Sequence, residues 1–240
     1  MADPLEQFAI RPIVPILVGN VDLSFTNSSL AMAIAVAGAY GFIMLGTRQH
    51  AMVPGRLQSL VELSYEFVAN LVRENAGRDG LRFFPYIFTL FFLILFGNSI
   101  GMIPGIFTFT SHIIVTFFLA ICVFLGVTAL GFWVHGVRFL GFFVPKGAPK
   151  IMLPLLVPIE VMSYCVRPIS LSVRLFVNMM AGHTMLAVFV GFIGALGVFG
   201  VAPLAVTVAL TGFEFVVAFL QAYIFTVLTC LYLHDALYMH

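Results

Sequence analysis

Residues 170–183, SLSVRLFVNMMAGH, lie near the centre of the longest apolar segment of the chain and place one arginine inside it. Arg174 stands between Val173 and Leu175, and no acidic residue lies within two helical turns of it. A charged side chain at the middle of a bilayer costs about 2.5–3.5 kcal/mol on insertion scales. We therefore expect a functional role for this guanidinium, because nothing nearby in the sequence offsets that cost.

The composition around this stretch is that of a membrane protein. The chain has 240 residues, of which 62% are hydrophobic and 9% are charged, and its mean hydropathy is +1.12. Soluble domains carry about 25% charged residues, so lipid must be the main solvent of this chain. The net charge of +1 argues against a nucleic-acid partner. The sequence has no metal-ligand, phosphate-loop or hydrolase motif, so we expect no metal and no cofactor.

Five segments are long enough to cross a membrane as helices, which requires about 20 apolar residues for a hydrocarbon core of about 30 Å. Helices are the natural form here because the backbone must satisfy its own hydrogen bonds in lipid. The predicted segments are 28–47, 83–103, 112–135, 151–193 and 203–233.

The last two segments predict a long helical hairpin. The glycines within 194–200, followed by Pro203, indicate a turn between them. A helix over 151–193 would be about 65 Å long, so it either breaks near Pro168 or crosses the bilayer steeply tilted.

Residues 57–75 predict a helix of another kind, because apolar and polar side chains fall on opposite stripes. Such an amphipathic helix lies at the membrane surface or packs against its neighbours. The predicted fold class is an all-α polytopic membrane protein with about five membrane-crossing helices, one amphipathic surface helix and a long tilted C-terminal hairpin. Residues 1–240 are predicted to form a single membrane domain.

Polar residues within the hairpin recur at helical spacing. Glu160, Arg167 and Arg174 follow each other at intervals of seven residues and share one helical face. Asn178 lies one turn beyond Arg174 on that face.

Glu214 and Gln221 are also seven residues apart on the last helix. In an antiparallel hairpin centred near residue 198, Gln221 lies at the depth of Arg174, and Glu214 lies at the depth of His183. Because His183 follows Arg174 by about two and a half turns, it points the other way on a regular helix. The two pairs therefore predict two offset polar pockets at different depths.

Each of these polar residues also has a plainer interpretation. Arg167 could extend to the inner interface, and Glu160 could be solvated there. His183 could be a hydrogen-bonded buried histidine, and Asn178 and Gln221 could serve only to join helices.

Four stretches of the sequence resemble a known family, subunit a (subunit 6) of the F-type ATP synthase, the proton-channel subunit of the membrane Fo sector. Within this family, the sequence as a whole resembles the alpha-proteobacterial members. The stretches are SLSVRLFVNMMAGH (170–183), QAYIFTVLTCLYL (221–233), FFPYIFTLFFLILFGNSIGMIPG (83–105) and PLLVPIEVMSYCVRPISLSVRLF (154–176).

The resemblance implies a set of site positions on the last two helices. The essential arginine of the family falls on Arg174, and its outer channel pair falls on His183 and Glu214, in the reverse order to some bacterial members. The remaining proton-pathway positions are Asn178, Gln221 and Glu160, with Arg167 and Ser170 on the inner side.

The resemblance also implies a rotary mechanism and a set of partners. Protons would pass through two offset half-channels and exchange with carboxylates on a rotating ring of c subunits, with this chain as stator. The implied partners are the c-ring proteolipids, the peripheral-stalk b subunits, the rest of the complex and the lipid of a bacterial inner membrane. The chain would not be an enzyme by itself.

Two other classes remain as alternatives from the residues alone. A proton-coupled secondary transporter would show internal repeats and discontinuous helices around a pocket, and the sequence shows no repeat. An intramembrane hydrolase that uses His183 and Glu214 would need a nucleophile or a metal-ligand motif. Co-purification of a small, glycine-rich hairpin proteolipid would favour the rotary ATP synthase subunit over both alternatives.

The distribution of basic residues predicts the orientation of the chain. The connections 48–82 and 136–150 carry eight of the eleven Lys and Arg residues, whereas 104–111 and 194–202 carry none. The positive-inside rule makes the basic side cytoplasmic, so residue 1 is predicted to lie outside and residue 240 inside. Single cysteines introduced at positions 4 and 238 of a cysteine-free chain should react with an impermeant reagent from opposite sides. Labelling of both positions from one side would contradict the five-span topology.

Overall fold

The computed structural model describes residues 9–15, 17–18, 21–22, 24–48, 54–103, 107–144 and 152–238. Nearly all the regular structure within these ranges is helical, and five helical stretches are long and apolar enough to cross a membrane. The predicted class, an all-α polytopic membrane protein, is confirmed. The helices are α1 (Asn27–Thr47), α2 (Arg56–Gly80), α3 (Phe84–Gly101), α4 (Ile113–His135), α5 (Leu153–Leu196) and α6 (Val201–Leu237).

Two short antiparallel strand pairs precede α1, and the sequence analysis did not predict them. Asn27, the first residue of α1, forms hydrogen bonds with the segment that contains the first strand. Its Oδ1 accepts from the backbone N–H of Arg11 at 3.2 Å, and its Nδ2 donates to the Ala9 carbonyl at 3.0 Å. The strands are β1 (Pro12–Val14) paired with β4 (Phe25–Thr26), and β2 (Leu17–Val18) paired with β3 (Val21–Asp22).

The amphipathic helix α2 packs against its neighbours through its apolar stripe. Val61, Val68 and Val72 are buried, and the helix contacts α1, α3 and α6. Leu57, at the start of the predicted stripe, is exposed. Of the two interpretations of 57–75, the structure shows the one in which the helix packs on other helices of the chain.

The connection between α2 and α3 depends on a glycine. Gly77 has φ 73° and ψ −171°, a backbone conformation that side chains with a Cβ rarely adopt. A 3-10 turn at Leu81–Phe83 follows, and α3 then begins with Pro85 in its first turn, where the missing N–H of proline costs nothing.

α6 lies at the centre of the helix bundle and contacts α2, α3, α4 and α5. Phe225 fills the core at its middle, while Ala218 and Ala222 let neighbouring backbones come close. The buried stripe of α4 also contains small residues, among them Ala120 and Gly131. Small side chains are typical of packed membrane helices, because lipid is as apolar as the side chains and close packing is the main source of attraction.

α5 is a continuous helix of 44 residues that contains both Pro158 and Pro168. The break considered at Pro168 is therefore not found in this described helix. Proline removes one hydrogen bond to the carbonyl four residues earlier, here Tyr164. The hydroxyl of Tyr164 is held by Thr128 of α4 at 2.8 Å, which fixes the helix against its neighbour at this point. A helix of this length extends about 66 Å, so it must be tilted or project beyond a hydrocarbon core of about 30 Å.

Candidate functional site

The site is built on the antiparallel hairpin of α5 and α6, which contact each other along their length. A short 3-10 turn, Gly197–Gly200, joins them. A Cβ at Gly200 would lie 2.7 Å from the carbonyl oxygen of Ile193, so only glycine permits this close return of the chain. Of the contacts across the hairpin described next, the one between Gly182 and Glu214 agrees with a register centred near residue 198.

At mid-hairpin, Asn178 of α5 donates its Nδ2 to Oε1 of Gln221 on α6 at 3.0 Å. Gln221 is only 1% exposed, whereas Asn178 lies on the open side of α5. The Nε2 atom of Gln221 is buried and has no hydrogen-bond partner among the described residues. Sequence spacing placed Gln221 at the depth of Arg174, and the structure gives it Asn178 as its partner, one turn further along the same helix.

Arg174 is exposed on α5, whereas Leu171 and Leu175 close to it on the same helix are buried. Across the described ranges, no side chain or carbonyl forms a hydrogen bond or ion pair with its guanidinium. An open apolar groove of about 570 Å³ runs along α5 just beyond it, lined from Phe176 to Phe189. This surface therefore pairs an uncompensated cation with a concave apolar strip.

The part of the hairpin nearer its turn carries His183 and Glu214, each of which contacts another segment of the chain. His183 Nε2 is 3.2 Å from Oγ1 of Thr108, which itself donates to the carbonyl of Gly101 at 2.8 Å. Glu214 lies against Gly182, where an added Cβ would be 3.0 Å from the carboxylate carbon. The carboxylate of Glu214 is thus beside the residue preceding His183, which agrees with the equal depth predicted for the pair.

Several polar residues of this region were not singled out from the sequence. Asn98 of α3 is fully buried, and neither atom of its amide has a hydrogen-bond partner in the described part of the chain. The same holds for Oγ1 of Thr110 and Oε2 of Glu214. Asn98 could have been found by applying the cost of polar groups in lipid to the second predicted span as well as to the last two.

Asn98 belongs to the same layer of the bundle as the mid-hairpin amide pair. One turn beyond it on α3, Met102 packs with Met179 of α5 and Ala218 of α6. Because α3 and α5 run opposite to α6 across the bundle, one turn back from this cluster leads to Asn98 on α3 and to the neighbourhood of Gln221 on α6. The polar region at mid-hairpin therefore has a wall on α3 in addition to those on α5 and α6.

At the end of the hairpin away from its turn, Arg167 forms an ion pair with Asp235 of α6, with Nη1 2.8 Å from Oδ2. Its guanidinium also lies over the rings of Tyr164 and Tyr232, at 5.2 and 5.0 Å from their centroids. That Arg167 extends to the interface stays a prediction, and the structure adds a carboxylate partner for its guanidinium, Asp235. The sequence pattern does not point to Asp235, because a charge near the end of a span costs little.

The remaining residues of the predicted inner side are less constrained. Glu160 is half-buried on α5, and Ser170 is exposed on the same helix. The end of α6 is fixed further by Tyr238, whose hydroxyl donates to Oδ2 of Asp79 at 2.7 Å. This hydrogen bond raises the pKa of Tyr238, because it favours the neutral phenol that donates. Within the described ranges, no group of three or more acidic, histidine or cysteine side chains is placed to hold a metal ion.

Together these features define a polytopic membrane protein whose C-terminal hairpin carries buried polar atoms and one arginine, Arg174, that have no partner within the described residues. Comparison with known proteins is specific about the family. A sequence profile described as ATP synthase A chain matches residues 29–234. This match covers all six helices except the ends of α1 and α6.

Full-length relatives agree with this match. The chain is 58% identical to the ATP synthase subunit a of Parvibaculum lavamentivorans, over 98% of this chain and 94% of that protein. It is 56% identical to that of Rhizobium etli, over 98% and 97%, and 54% identical to that of Rhodospirillum rubrum, over the whole of both chains. The chain therefore belongs to the ATP synthase A chain family.

The contact between Gly182 and Glu214 can be tested by filling the space at the glycine. Gly182→Val should push the carboxylate of Glu214 away from its present position. With the proton-pathway role expected for Glu214, this predicts ATP-driven acidification of inverted vesicles lower by about ten- to a hundredfold, the effect of misplacing a reacting group by an ångström. The matched control is Gly191→Val on the same helix, where an added Cβ meets no atom within 4 Å. Equal activity of the two assembled variants would show that the position of Glu214 is unimportant.

Proposed function

We propose that this chain conducts protons in the membrane sector of an ATP synthase, as the stator against a rotating ring of proteolipid c subunits. The observation that carries the proposal is Arg174, a cation on the outer face of α5 with no hydrogen bond or ion pair in the described part of the chain. Membership of the ATP synthase A chain family supports the same conclusion.

The surface around Arg174 fits a helical partner that carries a carboxylate. A lone guanidinium facing lipid costs about 2.5–3.5 kcal/mol or more, and an ionised carboxylate opposite it removes that cost. The apolar groove from Phe176 to Phe189 offers a concave strip for helices beside the charge. A ring of identical hairpins would bring one carboxylate after another to this position.

The outer half-channel is supported by the buried polar atoms near the hairpin. Leaving such an atom without a partner costs about 1–3 kcal/mol, so positions of this kind are usually hydrated. Atoms without a partner among the described residues occur on α3, on α6 and in the segment that precedes α4, which gives a route lined from three sides. They are the amide of Asn98, Oγ1 of Thr110, Oε2 of Glu214 and Nε2 of Gln221.

His183 and Glu214 would exchange protons along this route. Imidazole can take up and release a proton near neutral pH, and a carboxylate beside it can pass that proton on. Asn178 and Gln221 would then orient the last hydrogen-bonded groups before the ring carboxylate, since their mutual bond leaves the Gln221 Nε2 free to donate.

Arg174 would separate this route from an inner half-channel near Glu160 and Ser170. Arginine cannot be deprotonated in proteins, so it cannot relay a proton across the gap. Its charge also favours an ionised carboxylate on the ring at this position. Each proton that crosses the membrane releases about 2.3 kcal/mol per 100 mV, and the ring must rotate to collect that energy.

In this role the chain is a non-catalytic subunit, and the synthesis of ATP takes place elsewhere in the complex. Its partners would be the c subunits, the peripheral-stalk b subunits and the lipid of a bacterial inner membrane. The distribution of basic residues supports an orientation with the N-terminus outside and the C-terminus in the cytoplasm.

Replacement of Arg174 tests the proposal directly. Arg174→Ala should reduce ATP synthesis in inverted vesicles to background, because no fixed charge would hold the ring carboxylate ionised. Passive proton leak through the assembled membrane sector should stay or rise, because the barrier between the half-channels is weakened. Arg174→Lys should also fail in coupling, since a lysine in a low-dielectric site can lose its proton and lacks the planar guanidinium. Near-normal synthesis by a fully assembled Arg174→Ala complex, judged by its c-subunit content, would refute the mechanism.

The outer pair can be tested by exchange. His183→Glu alone or Glu214→His alone should slow ATP-driven pumping, since each leaves two like groups at one depth. The double exchange restores one imidazole and one carboxylate and should recover part of the rate. The measurement is the initial rate of acidification per assembled complex. A double variant no faster than the slower single variant would mean that the two residues do not act as a unit.

A further inference from the structure

Two arginines lie on nearly the same face of α5, but they differ in their partners. Arg167 precedes Arg174 by two helical turns, about 10.5 Å along the axis, and therefore lies on nearly the same face. Arg167 forms an ion pair with Asp235 at 2.8 Å, whereas within the described residues Arg174 has none.

The surroundings of Arg167 also hold its guanidinium back toward α6. The rings of Tyr164 and Tyr232 lie at 5.2 and 5.0 Å from it, and its side chain is 25% exposed. The negative faces of the rings add to the attraction of the carboxylate of Asp235. The positive charge of Arg167 is thus offset from three sides, one of them by a full negative charge.

We propose that Asp235 is a positioning residue that neutralises Arg167 so that Arg174 remains the single uncompensated cation on this face of α5. The inference rests on the function proposed above, in which a ring carboxylate must ionise opposite Arg174 and not at another depth. An unpaired cation two turns closer to the cytoplasm would offer that carboxylate a second resting position.

The size of such competition is large enough to measure. Two unit charges about 10 Å apart, at the effective dielectric constant of about 20 found near protein surfaces, interact strongly enough to change an equilibrium by about tenfold. A freed Arg167 would therefore hold the ring carboxylate in its ionised form on the wrong side of Arg174 and slow each step of the ring.

A mechanical role is the competing explanation, because the same ion pair joins the inner ends of α5 and α6. The two roles differ in what happens when both charges are removed. If the ion pair serves only to join the two helices, that link is lost in the double neutral variant as it is in each single variant. Charge compensation is restored in the double variant, because no unpaired cation remains.

The experiment uses the complete ATP synthase in inverted membrane vesicles, with pumping and ATP synthesis normalised to c-subunit content. Asp235→Asn should lower coupled ATP synthesis by about tenfold, as the charge estimate requires. Arg167→Gln combined with Asp235→Asn should return synthesis to at least half of the unmodified level. Asp79→Asn is the matched control, because it removes a carboxylate from the same end of the protein whose partner is the neutral hydroxyl of Tyr238. It should leave synthesis unchanged.

Two results would overturn the inference. One is an assembled Asp235→Asn variant with normal synthesis, and the other is a double neutral variant as poor as the worse single variant. If Asp235→Asn does not assemble, the exchange of Arg167→Asp with Asp235→Arg takes its place and must restore coupling. Arg174→Ala is measured in parallel. Loss of coupling there, with no effect at Asp235, would refute only the present inference, whereas retained coupling would refute the proposed function itself.

Discussion

The cost of holding an ionised guanidinium in a low-dielectric region is the constraint on which the hairpin depends. Two arginines of α5 meet that cost in different ways. Arg167 is satisfied within the chain by Asp235 and two tyrosine rings. Arg174 is left on an exposed face with no such partner in the described ranges. A membrane protein retains an unsatisfied charge only where another surface completes it, so the face of α5 that carries Arg174 is the one that must meet a partner.

Close packing behind the hairpin makes this arrangement possible. α6 must approach four other helices, and it does so with Ala218 and Ala222 on either side of the buried Gln221. Larger residues at these positions would separate α6 from its neighbours and open the bond between Gln221 and Asn178, which is 3.0 Å long. The small residues of the core therefore set the helix-to-helix distances that the polar contacts of the site require.

The sequence predicted the fold class well because hydropathy in lipid is a strong signal. The spacing of the polar residues placed Gln221 at the depth of Arg174, whereas its hydrogen-bond partner is Asn178, one turn further along α5. Its weak points have physical causes. The continuity of α5 through Pro168 depends on packing with α4, which the sequence does not show. Asp235 lies near the end of its helix, where hydropathy does not penalise a charge. Asn98 is a neutral amide in a span that is otherwise apolar, so only its burial reveals its importance.

The inner and outer parts of the hairpin differ in how completely their polar groups are paired. At the end away from the turn, Arg167 is paired with Asp235 of α6, and Tyr238 donates to Asp79 of α2. Further out, buried atoms of Asn98, Glu214 and Gln221 have no partner within the described residues. A fully paired interior would be more stable but would offer a proton no group to move to. Because α6 packs closely against four other helices, the polar groups nearer the turn can stay unpaired within the described residues and still keep fixed depths relative to Arg174.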